Sequence, residues 1–542
     1  MSLNNAAPSM QENHMSMNDI TLSYTPKPLY KILEATAAKF PDHPAIDFDG
    51  QVIDYKTLNH LVDRAAAGLQ AQGVQKGVKV GLFLPNTPFS IIGYYAVLKA
   101  GGTVVNYNPL YAVRELAFQV EDSETDILIT LNMPMLSDKA EELLANSRLK
   151  KLVLCGAPSD KADGESILFW NDMLKTDAAV TETVIDPVND TAVLQYTGGT
   201  TGTPKAAVLT HANLYINSVQ FERAVDGLLE EGKERILGIL PLFHVFSMTV
   251  VMNCAIRLGM EILMFAKFDP KQLAPVLKNK TPTVLPAVPA MFAALATHTA
   301  TKDIDLSSVK FCISGGAPIA PDVQSLFENQ TGAKIIEAYG LTETAPAASV
   351  NPPMGKVKRG SVGLPVSDTL IEIVSLEDGK TVLPQGEKGE VCITGPQVMK
   401  EYFNKPTETD NVMDGNRFHT GDIGYLDEDG YLFLVDRLKD MILVSGFNVY
   451  PTQIEAVIHN HEAVEECIVA GVPDEKRGEM VYAWVKLREG ASLEEGDLKR
   501  FLKDKISTTE MPRRIVFKDE ALPKTAVGKL SRKLLLEQEG YK

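Results

Sequence analysis

Short apolar runs that end in clusters of glycine, threonine and serine constrain this chain more than any other feature. Ala192–Tyr196 leads into Thr197–Gly202, Lys310–Ile313 into Ser314–Pro318, and Lys334–Ile336 into Glu337–Thr344. Each run has the length and aliphatic content of a strand, and each following segment is too small and polar for core. Helical spacing separates further runs of the same kind. Val78–Leu84 reads as a strand, Ser90–Ala100 as a helix stopped by Gly101–Gly102, and Thr103–Tyr107 as a strand. Val113–Val120 is helical, and Ile127–Leu131 and Leu152–Cys155 are strands again. This alternation predicts parallel strands covered by helices on both faces. In such sheets ligands bind where strands end in loops, so three small-residue loops at three strand ends predict one shared site.

The texture changes near residue 436. Tyr431–Val435 reads as a strand and Asp436–Asp440 as a charged stretch. Beyond it come a helix (Pro451–Asn460), two strands (Val464–Ala470, Met480–Leu487) and a helix (Leu493–Lys505). At 542 residues the chain exceeds the usual single domain. The predicted fold is α/β: a polar tail over 1–24, a large N-terminal domain over 25–436 with mostly parallel sheets covered by helices, a hinge over 437–440, and a small mobile α+β C-terminal domain over 441–542.

Charge and cysteine content exclude several function classes. With 53 Lys+Arg against 70 Asp+Glu the net charge is −17, which argues against duplex nucleic acid as a partner. The five cysteines show no CxxC spacing; a sparse, odd set suits a reducing compartment, with most of them filling core. The N-terminus lacks a basic start followed by an apolar stretch, and the longest apolar candidate, Val284–Ala296, is broken by Pro286 and Pro289. A cytoplasmic protein is expected, at most peripheral to the inner face of a membrane; a homodimer is left open.

Five local motifs carry chemistry. YTGGTTGTPK (196–205) follows a strand; its glycines let backbone N–H groups approach phosphate oxygens, its hydroxyls add donors and Lys205 adds charge. It is not a Walker A loop, because five residues after Gly198 or Gly199 stands Thr203 or Pro204 rather than the second glycine. In EAYGLTET (337–344), Glu343 beside hydroxyls suits Mg²⁺ bound to phosphate, and Tyr339 can lie against a flat base; alone, the segment also reads as a polar turn. Thr420-Gly-Asp422 offers a carboxylate to two ribose hydroxyls, although Gly-Asp is a common turn. In DRLKD (436–440), Arg437 presents a planar fork for phosphate or ribose oxygens, where a solvated charge run is the plainer reading. In LPKTAVGKL (522–530), Lys529 sits on a loop near the chain end and reads, alone, as an exposed lysine.

Taken together, YTGGTTGTPK, EAYGLTE, HTGD, DRLKDMI and PKTAVGK stand in the order and spacing of the adenylate-forming superfamily, which includes acyl-CoA synthetases, luciferases and peptide-synthetase adenylation domains. The resemblance covers the chain beyond about residue 25. The runs LPLFHVFSMT, GPQVM and VSGFNVYP most resemble bacterial long-chain fatty acid–CoA ligases.

The resemblance implies ATP-dependent ligation of a fatty acid to coenzyme A in two half-reactions, with release of pyrophosphate and then AMP. It places Thr197, Gly198, Gly199, Thr200, Thr201, Gly202 and Lys205 around the phosphates, and Glu343, with Thr197, on Mg²⁺. Thr342 contacts the α-phosphate. Gly315, Gly316, Ala317, Glu337, Ala338 and Tyr339 form the adenine pocket. Asp422 takes the ribose hydroxyls, assisted by Arg437. Lys529 bridges carboxylate and α-phosphate as the catalytic residue of the first step. His244 lies near the reacting carboxylate or gates the thiol, although the same histidine also reads as a hydrogen-bonded core residue. The small domain turns about Lys439, exchanging Lys529 for the Ser445-Gly446-Phe447 face that admits coenzyme A.

Three departures stand out: Leu443 where many relatives carry lysine, Ala206 where glycine usually follows the loop lysine, and Thr508–Pro512 in place of a Tyr-Lys-Val-Pro run. Val245–Met252 and Pro286–Leu295 are uncharged and serve either as acyl tunnel or as core. An aryl-CoA or medium-chain ligase is the nearest rival; a non-catalytic nucleotide-binding protein is the rival from another class, and the joint presence of Glu343, Asp422, Arg437 and Lys529 speaks against it.

Overall fold

The computed structural model describes residues 25–159, 161, 165–176, 178–197, 204–474, 478–524 and 530–541. The polar tail over 1–24, the phosphate-loop residues Gly198, Gly199, Thr200, Thr201 and Gly202, and Lys529 lie outside the described residues.

Two sheets dominate. The seven-stranded sheet runs Ile167–Phe169, Lys151–Cys155, Thr125–Leu131, Lys79–Phe83, Thr103–Asn106, Thr191–Thr197, Lys205–Thr210. All its pairings are parallel except the last, where Thr197 pairs with Lys205 in a returning hairpin. The nine-stranded sheet has a parallel centre that includes Val284–Ala287, Phe311–Ser314 and Ile335–Gly340, with antiparallel edges. The central strands are apolar because helices and neighbouring layers cover both faces: Val80, Val104, Val105, Ile236 and Ile262 are fully buried.

Local chemistry sets the covering helices. Tyr55–Ala71 starts where the Asp54 side chain accepts from Thr57 N at 2.6 Å. Pro88–Ala100 starts with proline in its first turn and ends on Gly101, whose φ of 93° suits the left-handed C-cap. One apolar core joins residues of both large sheets with Ile371, Ile373 and Val391 of a third.

That third sheet is antiparallel, built from Leu370–Val374, Gly389–Thr394, Arg417–Leu426, Met413–Asp414 and Leu432–Arg437. Two expectations are corrected. Thr420-Gly-Asp422, where Gly-Asp reads as a common turn, lies within a strand of this sheet, because Gly421 at φ 69° forms a bulge that the ladder absorbs. Likewise Glu337–Gly340 continues the strand expected to stop at Ile336, since Ala347–Val350 folds back to pair with it. Val245–Met252, which reads as acyl tunnel or core, overlaps a π-helix, Ser247–Cys254.

A separate five-stranded sheet follows: Phe447–Val449, Ile442–Val444, Gly478–Leu487, Val464–Asp474 and Arg514–Lys518, flanked by Pro451–His459, Glu495–Leu502 and Arg532–Gln538. Its strands and helices bury their own apolar residues, with Ile454, Ile458, Val469, Val485 and Leu498 at the centre. All five cysteines are buried and unpaired. Among the described residues no helix is long and apolar enough to cross a membrane.

Candidate active site

The strand ends of the two large sheets and the bulged strand of the third converge on Asp422. This side chain is buried, and both its oxygens are held. Arg437, its partner in register on the adjacent strand, lies with Nε 2.6 Å from Oδ1. Tyr339, from the nine-stranded sheet, donates its hydroxyl to Oδ2 at 2.6 Å. A carboxylate held in this way is an acceptor-only group of the kind that vicinal hydroxyls can donate to. Burial works against the Arg437 charge, but Asp422, Tyr339, Asp440 and Glu343 outweigh it and raise its pKa. Burial, followed by Asp422, pushes the Tyr339 phenol well up, so it remains a donor.

Glu343 forms the second focus, on the 3₁₀ turn Thr342–Thr344. Its carboxylate accepts from Tyr402 Oη at 2.7 Å and its carbonyl accepts from Met399 N at 2.7 Å. Lys205 Nζ sits over the Tyr402 ring, 4.6 Å from its centroid. The segment carrying Tyr402 is tied to the Lys205–Thr210 strand by Val208 N→Glu401 O and Phe403 N→Ala206 O, and Asn213 Nδ2 donates to the carbonyls of Pro396 and Val398. Burial raises the Glu343 pKa; Tyr402, the residue's own N–H, Arg437 and Lys205 oppose it less strongly. A buried carboxylate whose charge is under-compensated, beside hydroxyls, fits a hard divalent cation with oxygen ligands. Thr197, the other residue expected on that ion, closes its strand opposite Lys205.

On the expected adenine side, Gly315, Gly316 and Ala317 follow the strand Phe311–Ser314, with Gly316 at φ 79°. A Cβ on Gly315 would stand 3.2 Å from the Phe246 ring and 3.7 Å from the Ala338 carbonyl, so this loop lies against both the Phe243–Phe246 segment and Ala338. Glu337 is buried, and that burial raises its pKa. Thr342 is half-buried beside Glu343.

His244 is exposed, which sets aside the core reading. Its Nδ1 accepts from Phe246 N at 3.3 Å. The surrounding loop is clamped: Asn86 Oδ1 accepts from Leu242 N at 2.8 Å while its amide donates to Leu240 O at 2.9 Å. Gln195 donates to Phe243 O at 3.0 Å and accepts from Asn106 at 2.9 Å. Behind the loop a gap of about 10 Å³ is lined by Leu82, Tyr94, Asn106, Leu242, Phe243 and Met252, room for about one water. Asn86, Gln195 and Tyr402 were not singled out from sequence; each lies outside the Gly/Thr-rich motifs, and only the tertiary hydrogen bonds reveal their part.

Lys439 is exposed on the 3₁₀ turn Leu438–Asp440. Ser445 and Gly446, at φ 52° and 86°, form the two-residue loop of the hairpin Ile442–Val444/Phe447–Val449. A Cβ on Gly446 would meet nothing within 4 Å, so the turn itself explains this glycine. Phe447 and Leu443 are exposed on either side of it. On either side of residues 525–529, Lys524 forms an isolated bridge with Leu530, and Ser531 N donates to Pro523 O at 2.9 Å. Arg532 then binds Asp440 at 3.3 Å, Glu455 at 2.6 Å and the Val469 carbonyl at 2.9 Å.

Residues 33–403 match the AMP-binding enzyme family and residues 453–529 the AMP-binding enzyme C-terminal domain. The chain is 39% identical over 535 residues to the long-chain-fatty-acid–CoA ligase of Bacillus subtilis (strain 168), covering 95% of each. It is 31% identical over 546 residues to 4-coumarate–CoA ligase CCL1 of Humulus lupulus, covering 98% of each. Its fold matches that of ATP-bound MatB from Rhodopseudomonas palustris with a TM-score of 0.86 at 29% identity, covering 96% of this chain and 100% of that one. The chain therefore belongs to the AMP-binding enzyme family, the adenylate-forming superfamily that its motifs resemble. Within that superfamily it stands with the AMP-forming acyl-CoA ligases, which use ATP and coenzyme A, and close in sequence to the bacterial fatty-acid branch.

Proposed function

We propose that this acyl-CoA ligase activates a fatty acid, long-chain in preference, and that the residues described above divide the work of two half-reactions. In the first, the fatty carboxylate attacks the α-phosphorus of ATP and pyrophosphate leaves. In the second, the thiol of coenzyme A attacks the acyl adenylate and AMP leaves. Charge accumulates on phosphate oxygens in the first step, so positioning and electrostatic stabilisation are the protein's task.

In this reading Asp422 holds the ribose hydroxyls, with its orientation fixed by Tyr339 and Arg437. The Gly315–Ala317 turn and Glu337–Tyr339 line the base. Thr342 and Lys205 face phosphate oxygens together with the loop over 198–202. Glu343, oriented by Tyr402, and Thr197 would hold Mg²⁺, which when bound offsets phosphate charge. Lys529 supplies an ammonium to the growing charge in the first step. His244, at the mouth of the clamped loop, stands where acid and thiol meet. The segment over 437–440 acts as the hinge between a large domain over 25–436 and a small one over 441–542, turning about Lys439 to bring the Ser445–Phe447 hairpin to coenzyme A.

The observation that carries the reading is the juxtaposition of Tyr339–Asp422–Arg437 with Lys205–Tyr402–Glu343 at strand ends beside an uncharged lining. The fatty-acid preference draws support from that lining and from the 39% identity to a long-chain ligase. An aryl acid is the second reading, supported by the 31% identity to a 4-coumarate–CoA ligase; the gap beside Phe243 and Met252 admits either acid only after side chains move. A panel of octanoate through oleate, with benzoate and coumarate, scored for CoA-dependent AMP release, tests the choice. Turnover rising toward the long-chain acids is expected; a maximum at coumarate would replace the fatty-acid reading. Exchange of labelled pyrophosphate into ATP with none of these acids would remove the adenylation step.

A further inference from the structure

The antiparallel sheet that carries Asp422 holds a second group of chemically active side chains. Cys392 and His419 are partners in register on Gly389–Thr394 and Arg417–Leu426. Glu390 lies two residues before Cys392 on the same strand, where period-two alternation brings it to the same face. His419 Nδ1 is 3.4 Å from Cys392 Sγ and 2.9 Å from Glu390 Oε2. One ligand atom from each of the three lies within 4.8 Å of both others. The second Glu390 oxygen is oriented by the Gly421 N–H at 3.0 Å.

We propose that Glu390, Cys392 and His419 bind a borderline-soft divalent cation of the zinc class. One thiolate, one imidazole nitrogen and one carboxylate oxygen form a donor set that this cation accepts, at bond lengths of about 2.0–2.3 Å. Tetrahedral bonds of that length separate ligand atoms by about 3.3–3.7 Å. The sulfur–nitrogen distance already falls there, and the nitrogen–oxygen pair opens by about half an ångström. On binding, the Cys392 proton passes to solvent, and the imidazole turns its Nδ1 lone pair to the metal with its proton on Nε2.

Two further observations point to a cation. His419 lines an open cavity of about 340 Å³ together with Asp378, Asp410, Asp414 and Lys380, so the fourth coordination position faces water and excess negative charge. Arg417, the cation on the same strand, also acts on Cys392 but is paired with Glu372 at 2.8 Å, and Glu390, Glu372 and Asp414 leave the surroundings net negative.

The location gives such an ion a consequence. Glu390 pairs with Ile423 and Cys392 with His419, so Thr420, Gly421 and Asp422 stand opposite Val391 alone. A cation bridging the two strands on either side of this bulge would fix the backbone from which Asp422 projects. The site takes the metal itself and needs no part of the ligase reaction.

Titration of the chelator-treated full chain with Co²⁺ tests the proposal. Expected is a thiolate-to-cobalt charge-transfer band with four-coordinate ligand-field absorption, saturating at one ion per chain and displaced by Zn²⁺. Cys392→Ser should abolish the charge-transfer band, and His419→Gln should weaken binding at least tenfold while the band persists. Wild-type protein without the band would overturn the proposal, as would a band of full strength in folded Cys392→Ser. If Cys392→Ser fails to fold, His419→Gln decides: unchanged Co²⁺ affinity in that variant also overturns it.

Discussion

Tyr339 Oη and Asp422 Oδ2 stand 2.6 Å apart, joining the last parallel strand of the nine-stranded sheet to the bulged strand of the antiparallel one. The bond crosses 83 residues of sequence and holds one oxygen of Asp422, while Arg437 holds the other.

Tyr339→Phe removes that donor and little else. Leaving a buried carboxylate short of one hydrogen bond costs about 1–3 kcal/mol. The variant should melt at a lower temperature, and its KM for ATP in pyrophosphate exchange should rise by about tenfold if the freed oxygen no longer aims at the ribose. Unchanged melting and unchanged KM together would show the bond to be idle.

Glu343 predicts a pH dependence of stability. Burial raises its pKa in the folded chain, so folding favours the protonated form. Its contribution is complete below the ordinary carboxylate range, near pH 4, and is lost as pH rises through the raised value. Without nucleotide and magnesium, wild type should therefore lose melting temperature relative to Glu343→Gln between about pH 4 and 7. Adding magnesium and ATP should reverse the difference at neutral pH. Parallel melting curves for the two proteins across that range would contradict the assignment of Glu343 as the under-compensated charge.

The hairpin at Ser445–Gly446 separates two explanations for one glycine. Because a Cβ there meets nothing while φ is 86°, Gly446→Asn should keep the turn, whereas Gly446→Val should cost about 1–2 kcal/mol or more through backbone strain. If coenzyme A also passes close to this backbone, both variants spare pyrophosphate exchange and both slow thioester formation. Slowing confined to Gly446→Val would assign the glycine to the turn alone.

The alternation of strand and helix was legible because parallel strands buried on both faces have little choice of composition. Lys79–Phe83, Thr103–Asn106 and Lys151–Cys155 are such strands. The strands around Asp422 were harder to read. A Thr-Gly-Asp run has the chemistry of a turn, and only pairing with Gly389–Thr394 and Leu432–Arg437 makes it the bulged centre of a sheet. The same holds for Glu337–Gly340, where the returning strand that extends the ladder lies beyond the loop. Motif chemistry located Asp422, Arg437, Tyr339 and Glu343 in sequence. Their support did not announce itself: Tyr402, Asn86 and Gln195 are ordinary polar residues until tertiary contacts bring them to Glu343 and to the loop around His244.

The buried carboxylate of Asp436 accepts from Thr452 N at 2.7 Å, at the start of the helix Pro451–His459, while four residues later Asp440 is fastened to Arg532. Both partners belong to the small C-terminal unit, while the two aspartates stand on either side of Lys439. In the proposed hinge motion Asp440 would travel with the tail module, to which Arg532 belongs. Asp436 would stay with the sheet of Asp422, so its bond to Thr452 would have to break. A turn about Lys439 would therefore include one aspartate letting go, and the strength of that grip, with the Lys388–Tyr450 contact beside it, would help set how long the enzyme dwells in each posture.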